Sequence, residues 1–168
     1  MGSESVPRGI SFLDHTADVG VEVHASSLPD LFILAALGMT GLVYGADVGA
    51  EADTPVAGPT PPTAPAPLAA GERASAGAPV RRVLSLSAED VPTLLRAWLR
   101  PLLGWLETEG LALRAARFDE LTGTRLEAVV DLAPDTREPI REIKGVTLHG
   151  LVAEHRGAEW TGRVIFDV

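Results

Sequence analysis

The feature that most restricts the fold of this chain is a change of hydrophobic period near its N-terminus. In residues 19–25, VGVEVHA, valine and alanine alternate with glycine, glutamate and histidine. This period of two predicts a half-buried β-strand with His24 on its polar face. From Ser27 onward the apolar residues recur every three or four positions, which predicts an amphipathic helix to about Tyr44, with Ser27 as its N-cap.

A second helix is predicted in the C-terminal half of the chain. Residues 80–87 form a strand candidate, and a helical pattern then extends from about Asp90 to Thr108 and stops at Gly110. Pro101 lies inside this pattern and is expected to kink the helix, because proline removes a backbone donor and clashes with the preceding turn. The apolar stripe contains two tryptophans and is typical of core packing.

Further strand candidates follow the second helix, at residues 111–119, 124–132, 145–155 and 159–168. Strands therefore outnumber helices, and both helices lie between strands. This order predicts the α+β class, with a mostly antiparallel sheet and the two main helices on one face.

The chain of 168 residues fits one domain, 1–168, that contains an unusual insertion. Residues 45–79 hold seven of the thirteen prolines and eleven alanines. Proline denies hydrogen bonds to helices and sheets, and little in this stretch can offset the entropy of ordering it. We therefore expect a flexible Pro/Ala/Gly-rich insertion at 45–79.

Charge and cysteine content narrow the classes of function. The net charge is −9, from 23 acidic and 14 basic residues, so direct nucleic-acid binding is not expected. An acidic surface suits metal ions, a basic protein partner or plain solubility. The absence of cysteine excludes a thiolate metal site. No apolar run has the length of a membrane span, and no secretory pattern opens the chain, so we expect a soluble cytoplasmic protein.

Three polar residues cluster in FLDHTADVG, residues 12–20: Asp14, His15 and Asp18. They are consistent with a catalytic pair, with metal ligands, or with the polar ends of an ordinary strand and turn. Asp18 in particular has a plain structural interpretation, since an aspartate before a strand often caps a turn.

Asp167 is the other notable carboxylate, because it lies between Phe166 and Val168 at the end of the chain. Burying it would be costly unless it were paired or bound to a cation, although the period of two also permits it to face solvent. His149 has an equally plain interpretation as a hydrogen-bonded core histidine. No known catalytic motif is present, so the residues support at most an oxygen-rich divalent-cation site led by Asp18 and Asp167.

Four segments, in this order, resemble the archease family. They are DHTADVGVEVHASSLPDLFILAALGM, EDVPTLLRAWLRPLLGWLETEGL, EIKGVTLHGLVAE and WTGRVIFDV. The chain departs from the family pattern in three places: Gly145 replaces the usual alanine, Pro101 interrupts the second helix, and residues 45–79 replace a short connection. Insertions in exposed loops are thermodynamically cheap, so the third departure affects spacing alone.

The resemblance implies an accessory protein rather than an enzyme. Proteins of this family activate the RtcB-type RNA ligase of tRNA splicing and RNA repair, promoting its guanylylation by GTP and its multiple turnover. That ligase is therefore the expected partner, with neither nucleic acid nor membrane bound directly.

The resemblance also implies a site. The metal-binding aspartates of the family correspond to Asp18 and Asp167, and the expected cofactor is a divalent ion, Ca²⁺, Mn²⁺ or Mg²⁺. The residues expected to support them are Val168, His149, Lys144, His15 and Asp14. Side-by-side pairing of the first and last strands would bring Asp18 close to Asp167.

Two alternatives remain at this point. The first is a metal-dependent hydrolase or phosphotransferase that uses Asp14, His15 and Asp18, although three residues so close together cannot all point one way along a strand. The second is an RNA-binding or chaperone module. An acidic chain with 5% aromatic residues offers neither a basic groove nor a stacking platform for RNA.

Overall fold

The computed structural model describes residues 9–14, 18–45 and 79–168 of the chain. The predicted insertion falls almost wholly outside this part. The described elements are β1 (Gly9–Asp14), β2 (Asp18–Ala25), α1 (Leu28–Tyr44), β3 (Val80–Ser87), α2 (Val91–Glu109), β4 (Leu111–Leu121), β5 (Arg125–Pro134), β6 (Gly145–Val146), β7 (Val152–Arg156) and β8 (Glu159–Asp167).

The described strands form two antiparallel sheets. The first sheet has the order β1-β2-β8-β6, and β7 also pairs with β8. The second sheet has the order β3-β5-β4. Helix α1 contacts both β2 and β4, so it joins the two sheets into one core. The α+β class is confirmed, with the strands divided between two sheets.

Both predicted helices are present, and local chemistry sets their ends. Ser27 and Asp90 are the N-caps, and their side chains accept hydrogen bonds of 3.3 and 2.8 Å from backbone N–H groups three residues on. Gly110 ends α2 in the left-handed conformation, with φ 66°. Helix α2 continues through Pro101. In the described part of the chain, neither helix is long and apolar enough to cross a membrane.

Two strand predictions differ from the structure. The predicted strand 145–155 is divided into β6 and β7, because a turn at Gly150, with φ 64°, separates them. The two pieces pair with different parts of β8, which is why both remain in one sheet. Strand β1, which forms an edge of the first sheet, was not predicted from the sequence.

Aromatic packing links the two helices to the second sheet. Trp98 of α2 is fully buried, and its ring lies 6.3 Å from Phe32 of α1 and 5.4 Å from Phe118 of β4. The indole Nε1–H donates a 2.9 Å hydrogen bond to the Phe32 carbonyl oxygen. The polar atom of this large side chain is therefore satisfied within the core.

Two glycines allow α1 to approach the first sheet closely. A Cβ at Gly38 would lie 2.6 Å from Val21 Cγ1, and a Cβ at Gly162 would lie 2.9 Å from Leu31 Cδ1. The face of the first sheet that carries Val21 and Gly162 is therefore its inner face, against α1. The opposite face is called the outer face below.

A charged contact ties the end of β5 to both helices. The Asp135 carboxylate accepts hydrogen bonds of 2.7 and 2.9 Å from the Arg137 guanidinium, which lies 5.1 Å from the Tyr44 ring at the end of α1. The Asp135 backbone N–H donates to the carbonyl of Gly110, after α2. The hydrogen bonds from Arg137 lower the pKa of Asp135, although its burial acts in the opposite direction.

Removing the Trp98 side chain is expected to be among the most destabilising single changes in the core. The change Trp98→Ala should lower the free energy of unfolding by about 3–5 kcal/mol, because it leaves a cavity between the helices and the second sheet. Urea denaturation measures the loss. Trp160→Ala, at a half-buried tryptophan on β8, is the matched control and should cost less. Equal losses for the two variants would contradict this account of the core.

Asp135 predicts a dependence of stability on acid. Because its pKa is lower in the folded state, its contribution is present above the unfolded pKa of about 3.9 and disappears as the pH falls through the folded value. Asp135→Asn should therefore be less stable at neutral pH, and its stability should change less between neutral pH and the acid limit. Thermal unfolding across this range tests the prediction, with the exposed Asp119→Asn as control. Parallel stability curves for Asp135→Asn and the parent chain would contradict it.

Candidate functional site

The two aspartates singled out in the sequence are cross-strand neighbours in the first sheet. Strands β2 and β8 pair antiparallel from Ala25 opposite Trp160 to Asp18 opposite Asp167. Directly opposite residues of an antiparallel pair lie on the same face, with their Cβ atoms about 4.5–5.5 Å apart. The two carboxylates therefore share one face at one end of the sheet, although 149 positions separate them in the sequence.

That shared face is the outer, solvent-exposed one. Val19 and Phe166, the neighbours of the two aspartates along the strands, are buried at 3% and 0% exposure. Because side chains alternate along a strand, Asp18 and Asp167 face the other way, and both are exposed. Of the two interpretations considered for Asp167, the solvent-facing one is therefore correct. The fold bears no cost for a buried charge at this position.

A third strand brings backbone beside Asp167. Gly145 of β6 is the second register partner of Asp167, and the Lys144 N–H donates a 2.7 Å hydrogen bond to the Asp167 carbonyl. A Cβ at Gly145 would meet no atom within 4 Å. Asp167 is thus the middle residue of a row, with the carboxylate of Asp18 on one side and open space on the other.

The other C-terminal candidates lie near this row. Lys144 is exposed, and His149 is exposed in the turn between β6 and β7. The turn is held in place because the backbone N–H and hydroxyl of Thr147 donate hydrogen bonds of 3.0 and 3.1 Å to the Ile165 carbonyl. Val168 is half-buried and packs against the core. His149 is therefore a surface residue, not the core histidine considered above.

The N-terminal candidates are separated by the register. Asp14 ends β1 opposite Val19, so it does not stand across from Asp18 or Asp167. His15 lies outside the described residues. The three-residue cluster suggested by the sequence thus contributes one described residue, Asp18, to the row with Asp167.

Farther along the outer face, the negative charge of Glu22 is compensated by Arg163. Arg163 of β8 donates hydrogen bonds of 2.8 and 3.2 Å to the carboxylate of Glu22, its register partner on β2. His24 lies 3.4 Å from the same carboxylate. The hydrogen bond from Arg163 lowers the pKa of Glu22. No local pattern in the sequence indicates this cluster, because only the strand register brings residues 22 and 163 together.

Chemically, the end of the outer face offers a small set of hard oxygen donors. Carboxylate oxygens suit Mg²⁺, Ca²⁺ and Mn²⁺. Among the residues that the structure describes, no group of three or more acidic or histidine side chains could hold a metal ion. A cation bound by Asp18 and Asp167 would therefore need water or a partner to complete its coordination, since Ca²⁺ takes about six to eight oxygens.

Comparison with known proteins identifies the family. A model of the archease protein family (MTH1598/TM1083) matches residues 11–58 and 69–168. The chain belongs to the archease family. The matched residues include both aspartates of the row, and the gap between the two matched parts falls inside the Pro/Ala-rich stretch. The family resemblance noted in the sequence is confirmed.

Solved structures agree on the fold of this archease-family chain. Protein 1598 of Methanobacterium thermoautotrophicum, studied in solution, has a TM-score of 0.62 and 21% identity, covering 95% of this chain and 99% of its own. An archease and possible chaperone of Thermotoga maritima, TM1083, has a TM-score of 0.53 and 17% identity, with 93% and 94% covered. At these identities the likeness shows the fold alone. No curated protein matches the chain in sequence.

The proximity of the two carboxylates predicts a gain in stability when one charge is removed. Like charges directly opposite on a sheet destabilise it, so Asp18→Asn should raise the free energy of unfolding by about 0.2–1 kcal/mol at low salt. Added salt should shrink the gain by screening the repulsion. Thermal unfolding in metal-free buffer provides the measurement. Glu138→Gln, which removes an exposed charge elsewhere, is the control, and an equal or larger gain there would refute the repulsion.

Proposed function

We propose that this protein activates an RtcB-type RNA ligase, promoting the GTP-dependent guanylylation and multiple turnover of that enzyme in tRNA splicing and RNA repair. Membership of the archease family supports the choice of partner. The structural observation that carries the proposal is the Asp18–Asp167 pair, two exposed carboxylates in register on one face. The protein acts in the cytoplasm on another enzyme and is not itself a ligase.

The proposed role of the pair is to hold a divalent cation. Two carboxylates this close repel each other, and a divalent cation between them relieves the repulsion. The Asp18 and Asp167 oxygens supply part of a coordination shell at the exposed end of the sheet. The open space beside Gly145 leaves room for oxygen donors from the ligase or from its nucleotide.

The charge of the chain supports docking on a basic partner. The net charge of −9 is complementary to an enzyme that must itself bind RNA. Lys144 and His149 are exposed near the aspartate row and are suited to contact the ligase. Leu148, in the same turn, is 63% exposed and adds an apolar contact beside them.

The register also weighs against the enzymatic alternative. A hydrolase built on Asp14, His15 and Asp18 needs these residues to converge, yet Asp14 stands opposite Val19 rather than beside the row. The Thermotoga maritima relative is described as a possible chaperone. A general chaperone would stimulate many unrelated enzymes, whereas the proposed protein stimulates the ligase.

The test is ligase guanylylation with GTP and a divalent metal, in the presence of the parent chain, Asp18→Ala or Asp167→Ala. Each variant should lose stimulation on the order of 10- to 100-fold, the range found when groups that support a metal site are removed. Asp119→Ala, which removes an exposed carboxylate from the second sheet, should keep it. Folded Asp18→Ala and Asp167→Ala variants that stimulate like the parent chain would overturn the assignment.

A further inference from the structure

The two edges of the second sheet differ in regularity. Along β4, the register with β5 shifts twice, between Leu113 and Ala115 and between Phe118 and Glu120. Along β3, all eight residues of 80–87 pair with β5 without a shift. Bulges make an edge a poor template for another strand, whereas a long regular edge invites pairing. In the part of the chain that the structure describes, no strand pairs with the other side of β3.

The middle of this regular edge carries an exposed apolar side chain. Val83 is 74% exposed, the largest value among the exposed large hydrophobic residues of the described chain. It is the register partner of Val129 on β5, and both face away from the buried Leu84 and Ala128 beside them. A valine at this position protects the edge poorly, since natural edges usually carry charge there.

The two arginines of β3 protect the edge less than their number suggests. Arg81 is held by Asp131 of β5, with Nε 2.7 Å from the carboxylate. Arg82 is held by Glu109 at 2.6 Å and lies 4.5 Å from the ring of Trp105 on α2. Each positive charge is thus compensated within the chain. A second β3 strand would meet little net repulsion.

The sequence of β3 is complementary to itself in one antiparallel register. A two-fold axis perpendicular to the sheet, midway between the two β3 strands at the level of Val83, keeps corresponding faces together and places Val83 opposite Val83 of a second copy. The same register places Arg81 of one copy opposite Ser85 of the other. Ser85 is small and uncharged, so Arg81 meets no like charge there and keeps its ion pair with Asp131. In this register valine faces valine on the exposed side, and no two like charges of β3 stand opposite each other.

We propose that β3 is a dimerisation strand, through which two copies of this chain pair edge to edge and form one continuous six-stranded sheet. The dimer buries Val83 against its counterpart and satisfies the free backbone groups of both edges. The Asp18–Asp167 row belongs to the first sheet. The dimer is therefore independent of the proposed ligase activation.

The first test is the molar mass of the full chain, measured by light scattering across a concentration series. The parent chain should approach twice its 17.6 kDa mass. Val83→Glu should halve the mass, because it places two like charges on the two-fold axis. Ile140→Glu, at a residue 71% exposed but outside β3, should leave it unchanged. A monomeric parent chain, or a Val83→Glu variant that remains dimeric, would overturn the proposal.

The second test uses the absence of cysteine from the chain. Val83→Cys introduces a single thiol on the proposed axis, close enough to its counterpart for a disulfide, so mild oxidation should give a covalent dimer. Ser85→Cys is the matched control on the same strand and face. In the proposed register its two thiols lie about 13 Å apart along the strands and should not bridge. Cross-linking of Ser85→Cys as efficiently as Val83→Cys would refute the register.

Discussion

The pairing of β2 with β8 is the interaction on which the rest of this structure depends. It joins the N-terminal strands β1 and β2 to the C-terminal strands of the first sheet. It also places the buried valines of β2 and Phe166 against α1. The same register sets Asp18 beside Asp167 on the outer face. A shift of one residue would turn every side chain to the other face, so core and site are specified by one alignment.

The parts of the fold that could be predicted from the sequence are those set by local chemistry. The caps at Ser27, Asp90 and Gly110 act within a few residues, and the apolar periods of the helices are visible without any partner. The division into two sheets depends on which distant strands pair, and no local pattern records that choice. The break in the predicted strand 145–155 has the same origin, because β6 and β7 each pair with a different part of the long, distant strand β8.

The candidate site shows the same limit. Asp18 and Asp167 are candidate metal ligands because carboxylates suit hard cations. The alternation around Phe166 permits the solvent-facing orientation of Asp167 that the structure has. The compensated pair Glu22–Arg163 could not be predicted, because 141 positions separate the two residues and each is an ordinary surface residue in isolation. On the outer face the charges of Glu22 and Arg163 cancel, whereas Asp18 and Asp167 leave the end of the sheet acidic. Only the strand register shows this difference.

Thermal unfolding of the isolated chain tests most directly the proposal that Asp18 and Asp167 together bind a divalent cation. The chain is titrated with Ca²⁺, Mn²⁺ or Mg²⁺ at constant ionic strength. A ligand that binds only the folded state stabilises it by about 2.7 kcal/mol at one hundred times its dissociation constant. The account predicts that at least one of these ions raises the melting temperature of the parent chain and has no such effect on Asp167→Asn. Equal responses of the two proteins, or no response to any of the ions, would contradict it.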